Sequence, residues 1–210
     1  MNKELRKRAA GDGMPLLDFI LKRIDEIQSV TGIKRTIFAA CPNSLAVIRA
    51  ALKSAKRSNA PVKFAATLNQ VDLDGGYTGL TPSEFVKTIR LHAQNLNVSS
   101  PVIIAIDHGG PWLKDLHKSE KWPYAKTMEA VKKTFEAAIE AGYDLIHVDP
   151  TVDITPDNDS KISIGTVAER TIELIRHAEE FRLRCGYPRI SYEVGTEEVH
   201  GGLADVGVFK

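Results

Sequence analysis

The chain has 210 residues, a formal net charge of +1, 43% hydrophobic and 26% charged residues, which suits one sizeable core. The near-neutral balance argues against nucleic acid or an anionic membrane surface as a partner; no apolar run approaches the ~20 residues of a membrane span, and no charged-then-apolar leader opens the sequence. Cys41 and Cys185 are the only cysteines, and without a CxxC spacing or an export signal they point to reduced thiols in the cytoplasm.

In chain order, the basic stretch from Lys3 to Arg8 reads as a solvated end. Leu16, Leu17, Phe19, Ile20, Ile24 and Ile27 recur at helical spacing and predict a helix over about 14–31. A strand over 36–40 follows, then Asn43 as the N-cap of a helix reaching about Lys56. The next strand, 62–68, runs into the glycine-rich loop Asp74–Gly79, after which Thr81-Pro82-Ser83-Glu84 forms a capping box with proline at the first helical position. A third strand covers 102–106, with a long loop from Asp107 to Tyr124 and a helix from about Lys126 to Ala141, closed by Gly142. The fourth strand, 144–148, leads through a polar loop to a second capping box at Thr166–Glu169 and a helix to about Arg184. A fifth strand spans 189–194.

Five strand–helix units, the last without its helix, fit either an open doubly wound sheet or the first five units of a TIM-type (β/α)8 barrel occupying residues 1–210 as one partial domain. Side-chain alternation decides between them. Phe38, Phe64, Leu68, Ile104, Ile106, Ile146 and Val148 form a bulky apolar set suited to packing under helices. The opposite set, Ala39, Cys41, Ala65, Thr67, Asn69, Ala105, Asp107, His147, Asp149, Ser191 and Glu193, is small low in each strand and polar at its C-terminal end. An open sheet would bury those charges under helices, whereas a barrel turns them to its mouth. No GxGxxG follows a strand and no GxxxxGK[ST] occurs, so a nucleotide site has no support.

Asp107, His108, His147, Asp149, Glu193 and Glu197 lie at or just beyond strand ends. Imidazoles and carboxylates are the usual ligands of a divalent metal that polarises a carbonyl, and a spare carboxylate nearby can move a proton. Each also has a plainer reading: Asp107 as a turn cap, His108 as a donor to a loop carbonyl, His147 as a satisfied core histidine, Asp149 as part of the turn at Pro150. A barrel-facing Glu193 requires a metal, a basic group or substrate hydroxyls. Asn69 and Gln70 suit sugar hydroxyls or loop backbone. The loop of Gly76 and Tyr77 suits a lid, a phosphate cradle or a simple turn, and Trp112 suits stacking on a sugar or anchoring its loop. His117 and His200 read as surface histidines.

Asn69-Gln70-Val71, Gly75-Gly76-Tyr77-Thr78-Gly79, Thr81-Pro82, Asp107-His108-Gly109-Gly110-Pro111-Trp112, Ile146-His147-Val148-Asp149, Thr166–Arg170 and Gly195-Thr196-Glu197 occur in this order. Together they resemble the GatZ/KbaZ family, the non-catalytic subunits of class II D-tagatose-1,6-bisphosphate aldolase, also labelled tagatose-6-phosphate kinases. The resemblance implies a TIM barrel related to class II aldolases and some ketose or uronate 4-epimerases. It implies Asp107 as catalytic acid/base, His108 as a ligand of a divalent metal and Glu197 as a further ligand; their strand-end placement adds Glu193 as a second catalytic carboxylate and Asp149 as another ligand, with zinc first and manganese, nickel or cobalt as alternatives. Asn69, Gln70, Gly76, Tyr77, Trp112 and His147 would contact a sugar or sugar phosphate. The expected chemistry is aldol cleavage or C4 epimerisation of a ketohexose; the alternative is an accessory subunit beside an aldolase partner or in a homo-oligomer. The loop after Asp107-His108 reaches its tryptophan sooner than in the family, which implies a different substrate. Family members are about twice as long, so the last three β/α units are missing and the chain is expected to be either a truncated product or one that completes its barrel with another chain.

Overall fold

In a computed structural model, residues 3–155 and 162–195 are described. Helices α1 (Lys3–Gly11) and α2 (Leu16–Thr31) precede strand β1 (Phe38–Ala40) and helix α3 (Leu45–Ser58). Strand β2 (Val62–Ala66), a 3-10 turn over Gly76–Thr78 and helix α4 (Pro82–Asn95) come next. Strand β3 (Val102–Gly109), the short helix α5 (Asp115–Ser119), helix α6 (Tyr124–Ala141), strand β4 (Leu145–Val148), helix α7 (Ile164–Arg184) and strand β5 (Ser191–Val194) complete the order.

The five strands are all parallel and lie in the order β1-β2-β3-β4-β5. That order never reverses, as a doubly wound sheet requires, and its crossover helices share one face. Val62, Phe64, Ile104, Ile106, Ile146 and Val148 pack there with Leu52, Ile89, Val131, Phe135 and Leu174 of the crossover helices. Burying a side chain such as Phe64 or Ile104 contributes about 1.5–3 kcal/mol. On the other face Ala65, Ile103, Ala105 and Leu145 meet Leu16, Leu17 and Ile20 of α2. The alternation expected from sequence is therefore present. The sheet is a parallel arc of TIM-like type, and β1 and β5 do not pair with one another. α2 covers the lower part of its inner face and leaves the C-terminal strand ends clear.

Local signals explain most boundaries. The Thr81 capping box forms, with Glu84 returning a hydrogen bond to the Thr81 amide, and Gly142 ends α6 in the left-handed region at φ 84°. Three expectations shift. Ser44, not Asn43, caps α3 through the Val47 amide. Ser163 caps α7 through the Thr166 amide, so the second capping box lies inside the helix. The basic N-terminal stretch is helix α1, held because Arg6 pairs with the buried Asp144 at 2.6 Å while the other oxygen of Asp144 accepts the Ile104 amide.

His117 was expected at the surface but is buried. Its ring stacks on Trp122 at 4.4 Å, and Nδ1 lies 2.8 Å from the Thr127 hydroxyl. That hydroxyl also accepts the Trp112 amide, so the imidazole is tied into the loop's hydrogen-bond network. Burial, aided by the Lys114 ammonium, holds His117 below its ordinary value of 6.5. As pH falls below about 6.5 the unfolded chain takes a proton that the folded chain resists, so this contribution to stability is present above that value and lost below it. Urea unfolding from pH 7 to pH 5 should show a smaller loss of stability in His117→Gln than in the unaltered chain; equal losses would contradict the assignment.

Candidate metal and catalytic site

The site begins with an irregularity in β3. The register between β3 and β4 slips between Ile106 and Gly109, and His108 takes a left-handed φ of 49°. Adjacent strand residues ordinarily point to opposite faces, and a bulge re-aims one of them. Here the slip turns both Asp107 and His108 to the strand-end cluster. With His147 of β4 they offer one ligand atom each within 4.8 Å of one another. Oδ1 of Asp107 lies 3.8 Å from Nδ1 of His147 and 4.0 Å from Nε2 of His108. The two imidazoles are tilted neighbours, 4.3 Å between centroids.

Asp149 organises this group from beneath. It is fully buried, and its Oδ2 lies 2.7 Å from Nδ1 of His108. Its Oδ1 accepts the amide and hydroxyl of Thr151. Both carboxylate oxygens are thus engaged by protein groups; Asp149, expected as a ligand, stands behind the His108 ring, whose Nε2 is turned toward Asp107. A carboxylate behind a ligating histidine is the usual way to orient such a ring and raise its basicity. Asp149→Asn should leave the fold intact and weaken zinc binding about 10- to 100-fold, read by competition with a chromogenic chelator; unchanged affinity would remove Asp149 from this role.

Two glycines allow the close packing. A Cβ on Gly110 would overlap the Asp149 carbonyl oxygen, and one on Gly195 would come within 2.6 Å of His147 Nε2. That Nε2 is buried with no hydrogen-bond partner among the described residues, while Nδ1 accepts the His108 amide at 3.3 Å. Asp107 is held below the ordinary carboxylate range by the neighbouring His147 and by His108, although partial burial pushes the other way. For His147, burial pulls the pKa down, but Asp107, Glu193 and Asp149 outweigh it and the net direction is up. Cys41, at the end of β1, places Sγ 3.7 Å from Asp107 Oδ2; burial and that carboxylate push its thiol up.

Two imidazoles with a carboxylate beside them suit zinc or a similar ion, the rings as donors and the carboxylate as a neighbour able to move a proton. Ligands at about 2.0–2.2 Å from a tetrahedral ion stand about 3.4 Å apart; the ligand nitrogens of the two imidazoles lie within 4.8 Å of one another, so the rings would draw together by at most about 1.4 Å around an ion, with His147 Nδ1 exchanging the His108 amide for it.

Other expected contacts lie elsewhere. Asn69 accepts the Asp115 amide and faces the Leu113 carbonyl. Buried Gln70 accepts the Thr67 amide and donates to the Pro42 carbonyl. Both serve loop backbone rather than a sugar. The amides of Gly75, Gly76, Tyr77, Thr78 and Gly79 are all bonded within the 69–79 segment, so this loop is a packed turn and not a phosphate cradle. A Cβ at Gly76 would strike the Gln70 carbonyl, which accounts for that glycine. Tyr77 is exposed and away from the cluster's contacts. Trp112 is fully buried, donates to the Trp122 carbonyl and packs near Tyr124 and Arg170; it anchors its loop and offers no stacking face. Glu197, Glu198 and His200 lie outside the described residues. Glu193 stands on the inner face, half exposed, opposite Lys63 at 3.5 Å. Lys63 was overlooked in the sequence, although its odd position in β2 assigns it to the same face as Ala65. A cleft of about 350 Å³ lies elsewhere, among Asp72, Lys114, Trp122 and Lys133. Its buried Lys114 is already paired to Asp72 and Asp74, so it supplies no free group for chemistry.

The family described as D-tagatose-1,6-bisphosphate aldolase subunit GatZ/KbaZ-like matches residues 21–206. The chain belongs to this family. A solved structure described as a probable tagatose 6 phosphate kinase from Sinorhizobium meliloti 1021 is 29% identical, with a TM-score of 0.64 over 78% of this chain and 39% of that one. A hypothetical protein from Ruminiclostridium thermocellum ATCC 27405 aligns with 12% identity and a TM-score of 0.45 over 77% of this chain and 97% of that one. The GatZ/KbaZ-like chain thus spans well under half the length of the Sinorhizobium protein. Its family relates it to tagatose-bisphosphate aldolase and carbohydrate metabolism. Among the described residues no helix is long and apolar enough to cross a membrane.

Proposed function

We propose that the chain provides part of a metal-dependent site for aldol cleavage or C4 epimerisation of a ketohexose or its phosphate, of tagatose or fructose type. The observation that carries this reading is the convergence of Asp107, His108 and His147, with Asp149 bracing His108, in a member of an aldolase-related family. His108 and His147 would hold a divalent ion, zinc in the first instance. Such an ion polarises a ketose carbonyl or hydroxyl when bound.

The chain's own groups do the rest. Asp107 is the proton carrier: its carboxylate stands beside both imidazoles, where it can accept a proton from a substrate held there. Asp107 is preferred to Glu193 because it touches the imidazoles, whereas Glu193 faces Lys63. Asp149 holds the His108 ring, and the Cys41 thiol lies against the second oxygen of Asp107. Glu197 is retained as a further candidate ligand.

A second reading is an accessory barrel subunit that stabilises an aldolase partner or assembles with its own copies. It is favoured by the β1 and β5 edges, which have no further strand beside them among the described residues and expose Phe38 and Val194. An assay of the zinc-loaded chain on tagatose, fructose and their phosphates separates the two. Cleavage or epimer formation is the expected result. A zinc-loaded chain that turns over none of them yet co-purifies with an aldolase would contradict the catalytic reading in favour of the accessory one.

A further inference from the structure

The inner face of the sheet carries one more pair of charged groups, and neither belongs to the metal cluster. Lys63 lies between Val62 and Phe64, both fully buried, on the face where its register neighbour Ile103 packs against α2. A lysine there covers apolar surface with its stem and carries its ammonium to a polar opening. That opening is the mouth of the arc, where Nζ stands 3.5 Å from Oε2 of Glu193. Glu193 is register partner to His147. The pair therefore reaches from β2 to β5 across the two strands that present Asp107 and His147.

Both groups are left with unused hydrogen-bonding capacity. The separation exceeds the about 2.7–2.9 Å of a charge-assisted hydrogen bond. Among the described residues neither side chain has another hydrogen-bond partner, so the ammonium and the carboxylate are available to a ligand at the mouth. The stem of Lys63 is covered, its side chain being 23% exposed, while neither its ammonium nor the Glu193 carboxylate is among the buried polar atoms without a partner; both are open to a polyhydroxyl ligand that replaces solvent.

We infer that Lys63 and Glu193 form a clamp for two neighbouring hydroxyls of the sugar, the ammonium donating to one oxygen and the carboxylate accepting from the next. The pair is neutral overall, and Glu193 repels anions. It therefore receives the uncharged polyhydroxyl part of the substrate and not a phosphate. The clamp rests on the sugar reading above. It adds to that reading which part of the substrate lies over β2–β5, and it assigns Lys63 a role in specificity.

The test is ligand-observed NMR titration of the full chain with D-tagatose and with inorganic phosphate, in the unaltered protein, Lys63→Met and Glu193→Gln. Methionine keeps the stem on the apolar face, so thermal midpoints serve as the folding control. Each substitution should weaken tagatose binding about tenfold or more, with phosphate not competing. Tagatose affinity that survives in both variants would overturn the clamp and leave the sugar reading standing. Competition by phosphate that disappears in Lys63→Met would overturn it in favour of an anion site. Failure of the unaltered chain to bind any sugar would remove both readings together.

Discussion

Asp107→Asn is expected to lower kcat/KM by about 10²–10⁴-fold, the range for losing a general acid or base, while leaving zinc content and thermal midpoint close to those of the unaltered chain. The substitution keeps the shape of the side chain and removes its ability to take a proton. It also spares His108 and His147, which are assigned to the metal, and Asp149, which braces His108 at 2.7 Å. Loss of activity together with loss of zinc would make Asp107 a ligand instead, since its Oδ1 faces both rings. Retained activity would remove it from the chemistry altogether.

Gly110→Ala should produce the largest structural effect. The added methyl group would occupy the place of the Asp149 carbonyl oxygen, a backbone atom at the end of β4. Neither strand end can shift freely, because the Asp149 amide donates to the Gly109 carbonyl. Overpacking of this kind costs about 1–3 kcal/mol, which lowers the melting midpoint by roughly 2–12 °C in a domain of this size. The displacement also pulls Asp149 from His108, so zinc affinity should fall along with stability. Gly165→Ala provides the control: nothing but the Ser163 hydroxyl approaches it, at 3.7 Å, and its melting midpoint should not fall. A Gly110→Ala protein with unchanged midpoint and zinc affinity would mean that the β3–β4 contact does not set the site.

What could be read in the sequence was what depends on neighbours in the chain. Strand alternation assigned Ala65, Ala105, Asp107 and His147 to one face and Phe64, Ile104 and Ile146 to the other, because period two is a local property of extended backbone. Thr81 and Gly142 announced their helix ends for the same reason. Contacts across strands were not legible. Asp149 looked like a ligand because its residue type allows it, and only the approach of His108 from the adjacent strand shows both its oxygens occupied. The bulge that brings His108 alongside Asp107 leaves no sequence signature beyond the glycines after it. Asn69, Gln70 and Trp112 carry groups that bind sugars well, but the same groups satisfy loop backbone, and packing decided for the latter. Lys63 could have been found: strict alternation from Ala65 places it inward, and a lysine there requires a partner.

Elemental analysis of the purified chain, loaded with zinc and desalted, tests the central claim most directly. About one zinc per chain is predicted, retained in Lys63→Met and lost in the His108→Ala, His147→Ala double variant. Equal zinc in the unaltered chain and the double variant, or none in either, would contradict a metal site at the ends of β3 and β4.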